Sequence, residues 1–492
     1  MNRTTIVIAT LVALFVAVRA CLWASGADGS ALVLVAVTLL PVALYVACKF
    51  PEIVYAIFVD AGLFKGDQSL TSIIPAWLDL TIAFGALTLV GIIYNLAVRR
   101  KPLALPPSQL LLPYVLFTAW AGISLSFTTA PTYGTEKFLR FATITSLALY
   151  APLMFQLDAV VLRRALTVFV VIAMAMLFDV FQTGVQPMVF ETRGAFGGDY
   201  LSLGRATGLA LVIVMFCYLV YARNALAMLF YIGVSTLLAM GTFLSGGRAP
   251  LLGAVGTVGL IFASLCLTLL RGFMFRSRPQ SAQLRMTFVM LAVAGLTALV
   301  VSVYSAYFTA TWDRLTLLSS GSGDYSDGRV PRYELAEAII TTWPTGVTGV
   351  GIGGFVAAFA GYDTKEGDYP HNIFLEIGSE LGVIGLIPFV WMLTWAVRRL
   401  RDFARAESSH LHISYTLLGM LVFELINSCI SGDINGNRTL FACIGLIGGL
   451  SATGHRLAQA RNRAYTVDDG LNDVMVTFRP SEGAAATDQV WT

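Results

Sequence analysis

Charged side chains are scarce in this chain. Only 12% of the 492 residues are Asp, Glu, Lys or Arg, whereas 57% are hydrophobic and the mean hydropathy is +0.75. In soluble domains, roughly a quarter of the residues are charged. The composition therefore excludes a soluble enzyme and a disordered chain, and the net charge of +3 is too small to indicate a nucleic-acid partner.

Cysteine and histidine are also rare. The six cysteines form no CxxC pair, and most lie in apolar segments, where a thiol behaves as a small hydrophobic group. The sequence therefore predicts no disulfide framework, no metal site and no cofactor. Of the four histidines, three fall beside basic or serine residues in predicted cytoplasmic segments, and only His371 falls on the opposite side.

Long apolar runs make up most of the chain. Ile6–Trp23, Ala31–Ala47 and Met286–Tyr307 are each near the ~20 residues that a helix needs to cross hydrocarbon. We therefore predict an all-α polytopic integral membrane protein with about 12–14 transmembrane helices. The least regular predicted span is 51–64, which is short and begins with Pro51.

Basic residues predict the topology, because short positively charged loops resist translocation. The dense basic stretches can all be placed in the cytoplasm: 99–101, 163–164, 271–285, 398–405 and 456–463. This arrangement divides the chain into transmembrane helices over 1–308, a large periplasmic loop over 309–371, C-terminal transmembrane helices over 372–454 and a cytoplasmic tail over 455–492. The tail is polar and acidic, so we predict that it is disordered.

His371 and Asn372 stand where the large loop re-enters the membrane, and they open a predicted helix. A helix N-terminus favours anions. Two interpretations of the pair stay open at this point. Either it only caps the helix, or His371, with an ordinary pKa near ~6.5, accepts a proton from an attacking hydroxyl.

Three arginines share the predicted outer face. Arg248 follows a tight Ser-Gly-Gly turn, and Arg329 and Arg332 precede a helix predicted to stop at Trp343-Pro344. Guanidinium groups suit the oxygens of a pyrophosphate and stabilise its charge as it leaves, without a metal. The alternatives are a snorkelling Arg248 and a solvated surface helix in the loop. Backbone N–H groups of 349–354 are expected to add donors.

Several carboxylates fall in or near apolar segments. A charged carboxylate at mid-membrane costs ~2.5–3.5 kcal/mol on insertion scales, so each is expected to have a partner. We predict pairing with the arginines for Asp60, Asp79, Asp179, Glu376, Glu380 and Glu424.

These motifs resemble those of a known family. The run from His371 to Leu386 resembles the signature of the O-antigen ligase and polymerase superfamily, in which a His-Asn pair starts a helix with Glu-x-Gly and Gly-Leu. Ser245–Arg248 is similar to the family's small-residue turn with arginine, and 329–351 to its arginine, helix, Pro and Gly-x-Gly block. Glu376 departs from the family, whose members often carry glutamine there.

The resemblance implies a GT-C-like, metal-independent, inverting glycosyltransferase of the bacterial inner membrane, with its active site facing the periplasm. The donor would be a glycan on undecaprenyl pyrophosphate. His371 would be the catalytic base, and Arg248, Arg329 and Arg332 would hold the pyrophosphate. Four further residues are expected to support the site: Asn372, Glu380, Arg140 and Arg205.

The resemblance leaves the acceptor open. An O-antigen ligase transfers the glycan to lipid A-core, whereas an O-antigen or exopolysaccharide polymerase transfers it to another glycan. The expected partners are therefore the lipid-linked glycan, one of these acceptors and membrane lipids. The alternative from another class is a lipid-linked glycan flippase or polysaccharide transporter without catalysis. That function needs a polar path through the bilayer centre, where the sequence offers little beyond Glu424.

Overall fold

The computed structural model is all-helical over the residues that it describes. These are 40–64, 79–100, 106–182 without 156, 194–274 without 197, 221 and 223, 281–305 without 304, 325–363, 368–406 and 411–453. The predicted first span, the first part of the predicted large loop and the predicted tail lie outside the described residues.

The helices are numbered in chain order. The first eight are α1 (Leu40–Lys49), α2 (Pro51–Asp60), α3 (Leu80–Ala97), α4 (Ser108–Ser124), α5 (Pro131–Arg140), α6 (Ser146–Met154), α7 (Ala159–Gln182) and α8 (Tyr200–Ile213). The next nine are α9 (Ala225–Leu244), α10 (Arg248–Met274), α11 (Ser281–Val303), α12 (Tyr325–Thr341), α13 (Thr345–Thr348), α14 (Gly354–Ala360), α15 (Ile373–Ala406), α16 (Leu411–Ile430) and α17 (Arg438–Thr453). The π-helical stretches Phe141–Thr145 and Val214–Leu219 join α5 to α6 and extend α8.

Six helices of the described chain are long and apolar enough to cross a membrane: α3, α7, α8 with its extension, α9, α15 and α16. The pair α1 and α2, bent by 113°, adds a seventh if it forms one span. Shorter apolar helices occur within α10 and α11 and as α17. The prediction of an all-α polytopic membrane protein is confirmed, and the described residues supply six or seven full-length spans toward the predicted 12–14.

The short helix α2 lies inside the bundle. Every residue of α2 except Ile57 is buried. The Tyr55 hydroxyl donates a 2.7 Å hydrogen bond to the carbonyl oxygen of Ala148 in α6. Because a bilayer offers no water to satisfy such a group, this internal partner lets a tyrosine occupy the core.

The last helix, α17, forms the centre of the bundle. Its close approach to α6 depends on two glycines spaced four residues apart. A Cβ on Gly445 would lie 2.2 Å from the carbonyl oxygen of Leu149, and one on Gly449 would lie 2.5 Å from that of Pro152. Small residues at this spacing let membrane helices pack backbone to backbone.

The two ends of the bundle carry different chemistry. At one end, which we call the basic end, Arg164 pairs with Glu52 at 2.9 Å. At this same end, Arg163 lies 3.1 Å from His412 at the start of α16. His371 lies at the other end, where α15 begins, and we call this the His371 end.

Candidate active site

Asn372, and not His371, caps helix α15. The Asn372 side-chain oxygen accepts hydrogen bonds from the backbone N–H groups of Phe374, at 2.9 Å, and Leu375, at 3.2 Å. His371 sits just outside the helix with a φ of 53°, in the left-handed region that non-glycine residues seldom adopt. Such a conformation persists only where the surroundings hold it, and it is common at functional sites. Capping therefore does not occupy the imidazole.

Three charged side chains act on His371. Arg329, Arg332 and Asp368 all influence its protonation, and Arg332 forms an ion pair with Asp368. Burial and the positive charges of Arg329 and Arg332 together lower the pKa of His371 to about 4, and the negative charge of Asp368 opposes them. The imidazole is therefore neutral at pH 7 and able to accept a proton. In the described part of the chain, its Nδ1 atom has no hydrogen-bond partner.

Helix α12 presents both arginines from one side, because residues three apart lie on the same helical face. A small core docks this helix on its neighbours, and it consists of Ala336 and Ile339 of α12 with Phe355 of α14. The predicted helix after Arg332 is thus present, but it begins earlier, at Tyr325, and includes both arginines. The contacts of α12 with α14 and α15 hold the arginines beside His371.

The segment 431–437 between α16 and α17, which we call the polar loop, completes this end of the bundle. The Tyr369 hydroxyl is hydrogen-bonded to the backbone of Gly432, and the Tyr369 ring lies 4.3 Å from the His371 ring. Burial raises the pKa of Tyr369, and the negative charge of Asp433 raises it further. Tyr369 therefore stays a neutral hydrogen-bonding group that links His371 to the polar loop.

Arg205 and Arg248 also lie at the His371 end. Arg205 donates hydrogen bonds to the carbonyl oxygen of Ser431, at 2.6 Å, and to the side chain of Asn437, at 3.1 Å. Arg248 is the half-buried first residue of α10. Because a Cβ on Gly253 would meet Asn427 in α16, and one on Gly256 would meet Ile426, α10 runs antiparallel to α16 and starts near the polar loop.

Arg140 stands apart from this group. It lies ten residues into the helical path that starts at Pro131, and it pairs with Glu136 of its own helix at 2.5 Å. Its side chain is 60% exposed. This ion pair lies within one helix, and a supporting role for Arg140 stays a prediction.

A buried ionic cluster lies beneath His371 on α15. The Lys137 ammonium is 2.6 Å from Glu376 and 2.7 Å from Glu380, and all three side chains are at most 3% exposed. Glu376 also accepts a hydrogen bond from the N–H of Ile434 in the polar loop, and Glu380 accepts one from the N–H of Gly353. The prediction that these glutamates pair with arginines is wrong, because their shared partner is a lysine. We call this group the Lys137 cluster.

Two further carboxylates accept hydrogen bonds from the backbone. Asp79 caps α3 by accepting from the N–H of Thr81 at 2.7 Å, and Asp179 accepts from the N–H of Phe196 at 2.8 Å. Asp79 also acts electrostatically on Arg438. Pairing of Asp79 and Asp179 with arginines stays a prediction.

The segment 349–354, which we call the glycine segment, was expected to offer N–H donors to a pyrophosphate, and the structure overturns this expectation. The N–H groups of Val350 and Gly351 donate to the carbonyl oxygens of Ser379 and Glu380, each at 2.9 Å. These carbonyls are free because α15 breaks at Gly382, which has φ 62° and ψ −166°. The glycine segment therefore fastens onto the break in α15.

Glycine is required at this break. A Cβ on Gly382 would lie 2.2 Å from the carbonyl oxygen of Val347, and its positive φ disfavours other residues. The indole of Trp120 takes the third freed carbonyl, that of Leu381, at 2.8 Å. All three carbonyls released by the break are thus hydrogen-bonded, as a buried backbone requires.

The described fold is that of a polytopic helical membrane protein with a histidine and several arginines at one end of its bundle. Residues 233–390, about a third of the chain, match the model of a family described as O-antigen ligase. The match includes Arg248, Arg329, Arg332 and His371, and it supports the O-antigen ligase and polymerase superfamily that the motifs resemble. The comparison with curated proteins finds no match.

Proposed function

We propose that the protein transfers a glycan from undecaprenyl pyrophosphate to an acceptor hydroxyl. The observation that carries the proposal is the neutral His371, held beside Arg329 and Arg332 in the region that matches the family. A neutral imidazole next to two guanidinium groups combines a proton acceptor with an anion-binding site. Glycan transfer from a pyrophosphate carrier needs both.

In the proposed reaction, the acceptor oxygen attacks the anomeric carbon of the lipid-linked sugar. The bond between that carbon and the phosphate oxygen breaks, and its electron pair leaves with undecaprenyl pyrophosphate. His371 accepts the proton of the attacking hydroxyl. A single displacement of this kind inverts the configuration at the anomeric carbon.

Arginines replace a metal ion in this proposal. Arg329 and Arg332 face the leaving group from α12, and Arg248 approaches from the start of α10. Guanidinium groups donate paired hydrogen bonds to phosphate oxygens and stabilise the charge that develops on them. Arg205 supports the site indirectly, because it holds the polar loop through Ser431 and Asn437.

Donor binding would strengthen the base. The positive charges of Arg329 and Arg332 help to keep the pKa of His371 low, at about 4. A bound pyrophosphate would offset those charges and add its own negative charge, so the pKa of His371 would rise. Proton transfer would then be favoured only when the donor is in place.

Two properties of the proposed reaction come from topology and family. We place the His371 end in the periplasm and the basic end in the cytoplasm, because positive charge is retained inside. The acceptor is either lipid A-core, for a ligase, or another glycan, for a polymerase. Both reactions need the same base and the same leaving-group site.

The test is the glycan profile of a strain that lacks the gene, complemented with wild type or with His371→Ala. We expect His371→Ala to be made and folded at wild-type levels without restoring transfer. Glycan chains left on the carrier and missing from the final acceptor identify a ligase, and single repeat units identify a polymerase. Restoration by His371→Ala, with lipid-linked units accumulating on the cytoplasmic leaflet of the uncomplemented strain, would instead establish a flippase.

A further inference from the structure

A cavity of about 220 Å³ lies next to the polar loop, at the His371 end of the bundle. Its charged lining consists of Asp60 from α2, Arg205 from α8, Glu424 from α16 and Arg438 from α17. The remainder of the lining is aliphatic or uncharged polar, and it includes Leu209 of α8, Asn435 of the polar loop and Thr439 of α17. Four different helices thus each place one charged group at the same small cavity.

The two carboxylates of this cavity are buried and have no direct partner. Glu424 is 2% exposed and Asp60 is 8% exposed. Within the described chain, neither carboxylate accepts a hydrogen bond or lies within ion-pair distance of a cation, although Arg438 and Arg205 act on them at longer range. The Nε atoms of both arginines also lack partners there. Burying carboxyl and guanidinium atoms without hydrogen-bond partners is costly even when a carboxyl is neutral, so this arrangement calls for a ligand that supplies those partners.

The hydrogen-bonding groups of the lining select the class of ligand. Two carboxyl groups and two guanidinium groups share the cavity, so it combines hydrogen-bond acceptors with donors and does not present groups of a single charge sign. No three His, Cys, Asp or Glu side chains of the described chain gather as a metal site would require. A ligand with many hydroxyl groups fits, because carboxylates accept and guanidinium groups donate hydrogen bonds.

The cavity is connected to His371. Arg205 lines the cavity and also donates to the carbonyl of Ser431, the first residue of the polar loop. Tyr369 is bonded to Gly432 of the same loop and lies against His371. Arg205, the polar loop and Tyr369 would therefore connect a ligand in the cavity to His371, the proposed base.

We propose that this cavity is a sugar subsite that binds one sugar residue of the glycan donor or acceptor. The inference rests on the proposed function and adds a site of substrate selection to it. All four charged residues lie outside residues 233–390, the part that matches the family.

The test compares Glu424→Gln and Asp60→Asn with Thr416→Val in lipid nanodiscs. The first two replace a carboxyl group by an amide at nearly constant shape. The control removes a buried hydroxyl from α16, the helix of Glu424. Among the described residues, the Thr416 hydroxyl donates to the carbonyl of His412, at 2.8 Å, one turn earlier in its own helix. Thr439 also lines the cavity and is uncharged. Thr439→Val therefore provides a second test of the subsite if Glu424→Gln or Asp60→Asn fails to fold.

Two quantities are measured with lipid-linked glycan and acceptor isolated from the strain that lacks the gene. The first is the KM for each substrate, and the second is the affinity for undecaprenyl pyrophosphate without a sugar. We expect Glu424→Gln and Asp60→Asn to raise one KM by about tenfold to a hundredfold, and Thr439→Val by about threefold to tenfold. Affinity for the bare carrier should change less than about twofold, as should every value for Thr416→Val.

The outcomes distinguish a donor sugar from an acceptor sugar, and a failure of the subsite from a failure of the proposed function. A raised KM for the donor assigns the cavity to the donor sugar, and a raised KM for the acceptor assigns it to the acceptor. Unchanged KM values for both substrates, or an equal loss of affinity for the bare carrier, would overturn the subsite. If the wild type transfers nothing, the proposed function fails. The subsite then stands only if the wild type binds a glycan more tightly than the bare carrier and Glu424→Gln abolishes this preference.

Discussion

At the scale of the residue, the protonation of His371 connects the fold to the proposed chemistry. Burial and two arginines keep the imidazole neutral, and Asp368 limits their effect. A histidine with this pKa is a weak base in the free protein. An anion bound to the arginines would raise the pKa of His371 and make it a stronger base, so the donor itself would activate the site.

This leads to a prediction for pH dependence. The neutral imidazole is the active form, and it is lost as the pH falls through the pKa of about 4. The kcat/KM for the donor should therefore stay level from neutral pH down through ~6.5, where an unperturbed histidine would already titrate, and fall only as the pH approaches 4. NMR of histidine-labelled protein should show the same titration. His371→Asn assigns the signal among the four histidines.

Adding undecaprenyl pyrophosphate provides the second half of that experiment. We expect the pKa of His371 to rise when the carrier binds, because its charge offsets Arg329 and Arg332. A titration near ~6.5 that does not respond to the carrier would contradict both the buried environment of His371 and the proximity of the arginines.

At the scale of the element, helix α5 carries two basic side chains with opposite roles. Lys137 is buried between Glu376 and Glu380, whereas Arg140, three residues later, is exposed on the surface. The Lys137 cluster ties α5, α15, the glycine segment and the polar loop together. The exposed ion pair of Arg140 with Glu136 joins two residues of α5.

Substitution by methionine should separate these roles. Lys137→Met leaves two carboxylates buried without a counter-charge, and we expect it to lower the free energy of unfolding by about 3–5 kcal/mol. Arg140→Met should lower it by at most about 1 kcal/mol. Reversible unfolding in mixed micelles measures both. Neutralising the glutamates in Lys137→Met/Glu376→Gln/Glu380→Gln should restore much of the loss, and equal effects of the two methionine variants would refute the cluster's role.

The same elements explain what could be predicted from the sequence. The motif of His371 and Asn372 is local, so its place at the start of a helix could be predicted. Glu376 and Glu380 stand one turn apart in an apolar helix, which indicates a shared cation. That cation is 243 residues from Glu380, and sequence spacing does not indicate which basic residue folds back to it.

The glycine segment failed as a prediction for a related reason. Its pattern indicates free N–H groups, but the break of α15 at Gly382 supplies carbonyls that use them. A Cβ on Gly349 would collide with the backbone of Glu380 and Leu381, and one on Gly382 with the backbone of Val347, so each glycine is explained by a segment distant in sequence. The cavity at Asp60 and Glu424 was missed likewise, because its walls come from four separate helices.

At the scale of the whole molecule, the two ends of the bundle predict an orientation. Tyr362 is exposed at the surface beside the His371 end, and Arg401 is exposed near the end of α15. In intact cells, Tyr362→Cys should react with a thiol reagent that does not cross the inner membrane. Arg401→Cys should react only after the membrane is opened. The unsubstituted protein is the control, since its described cysteines are buried or half-buried in helices. The reverse labelling pattern would place His371 in the cytoplasm.

The break at Gly382 also divides α15 into two parts with different surroundings. From Ile373 to Gly382 no residue is exposed, whereas from Val383 onward large apolar side chains such as Ile387 and Val397 face outward. A bilayer that is thinner than the apolar length of a helix is accommodated by tilting or kinking the part of the helix that touches lipid. In α15, the outward-facing part after Gly382 is the part able to tilt. Hydrogen bonds to Trp120 and to the glycine segment hold the buried part, from Ile373 to Gly382, in place. The lipid-facing part of α15 can thus adjust to the thickness of the membrane without moving His371, which precedes the N-terminus of the helix.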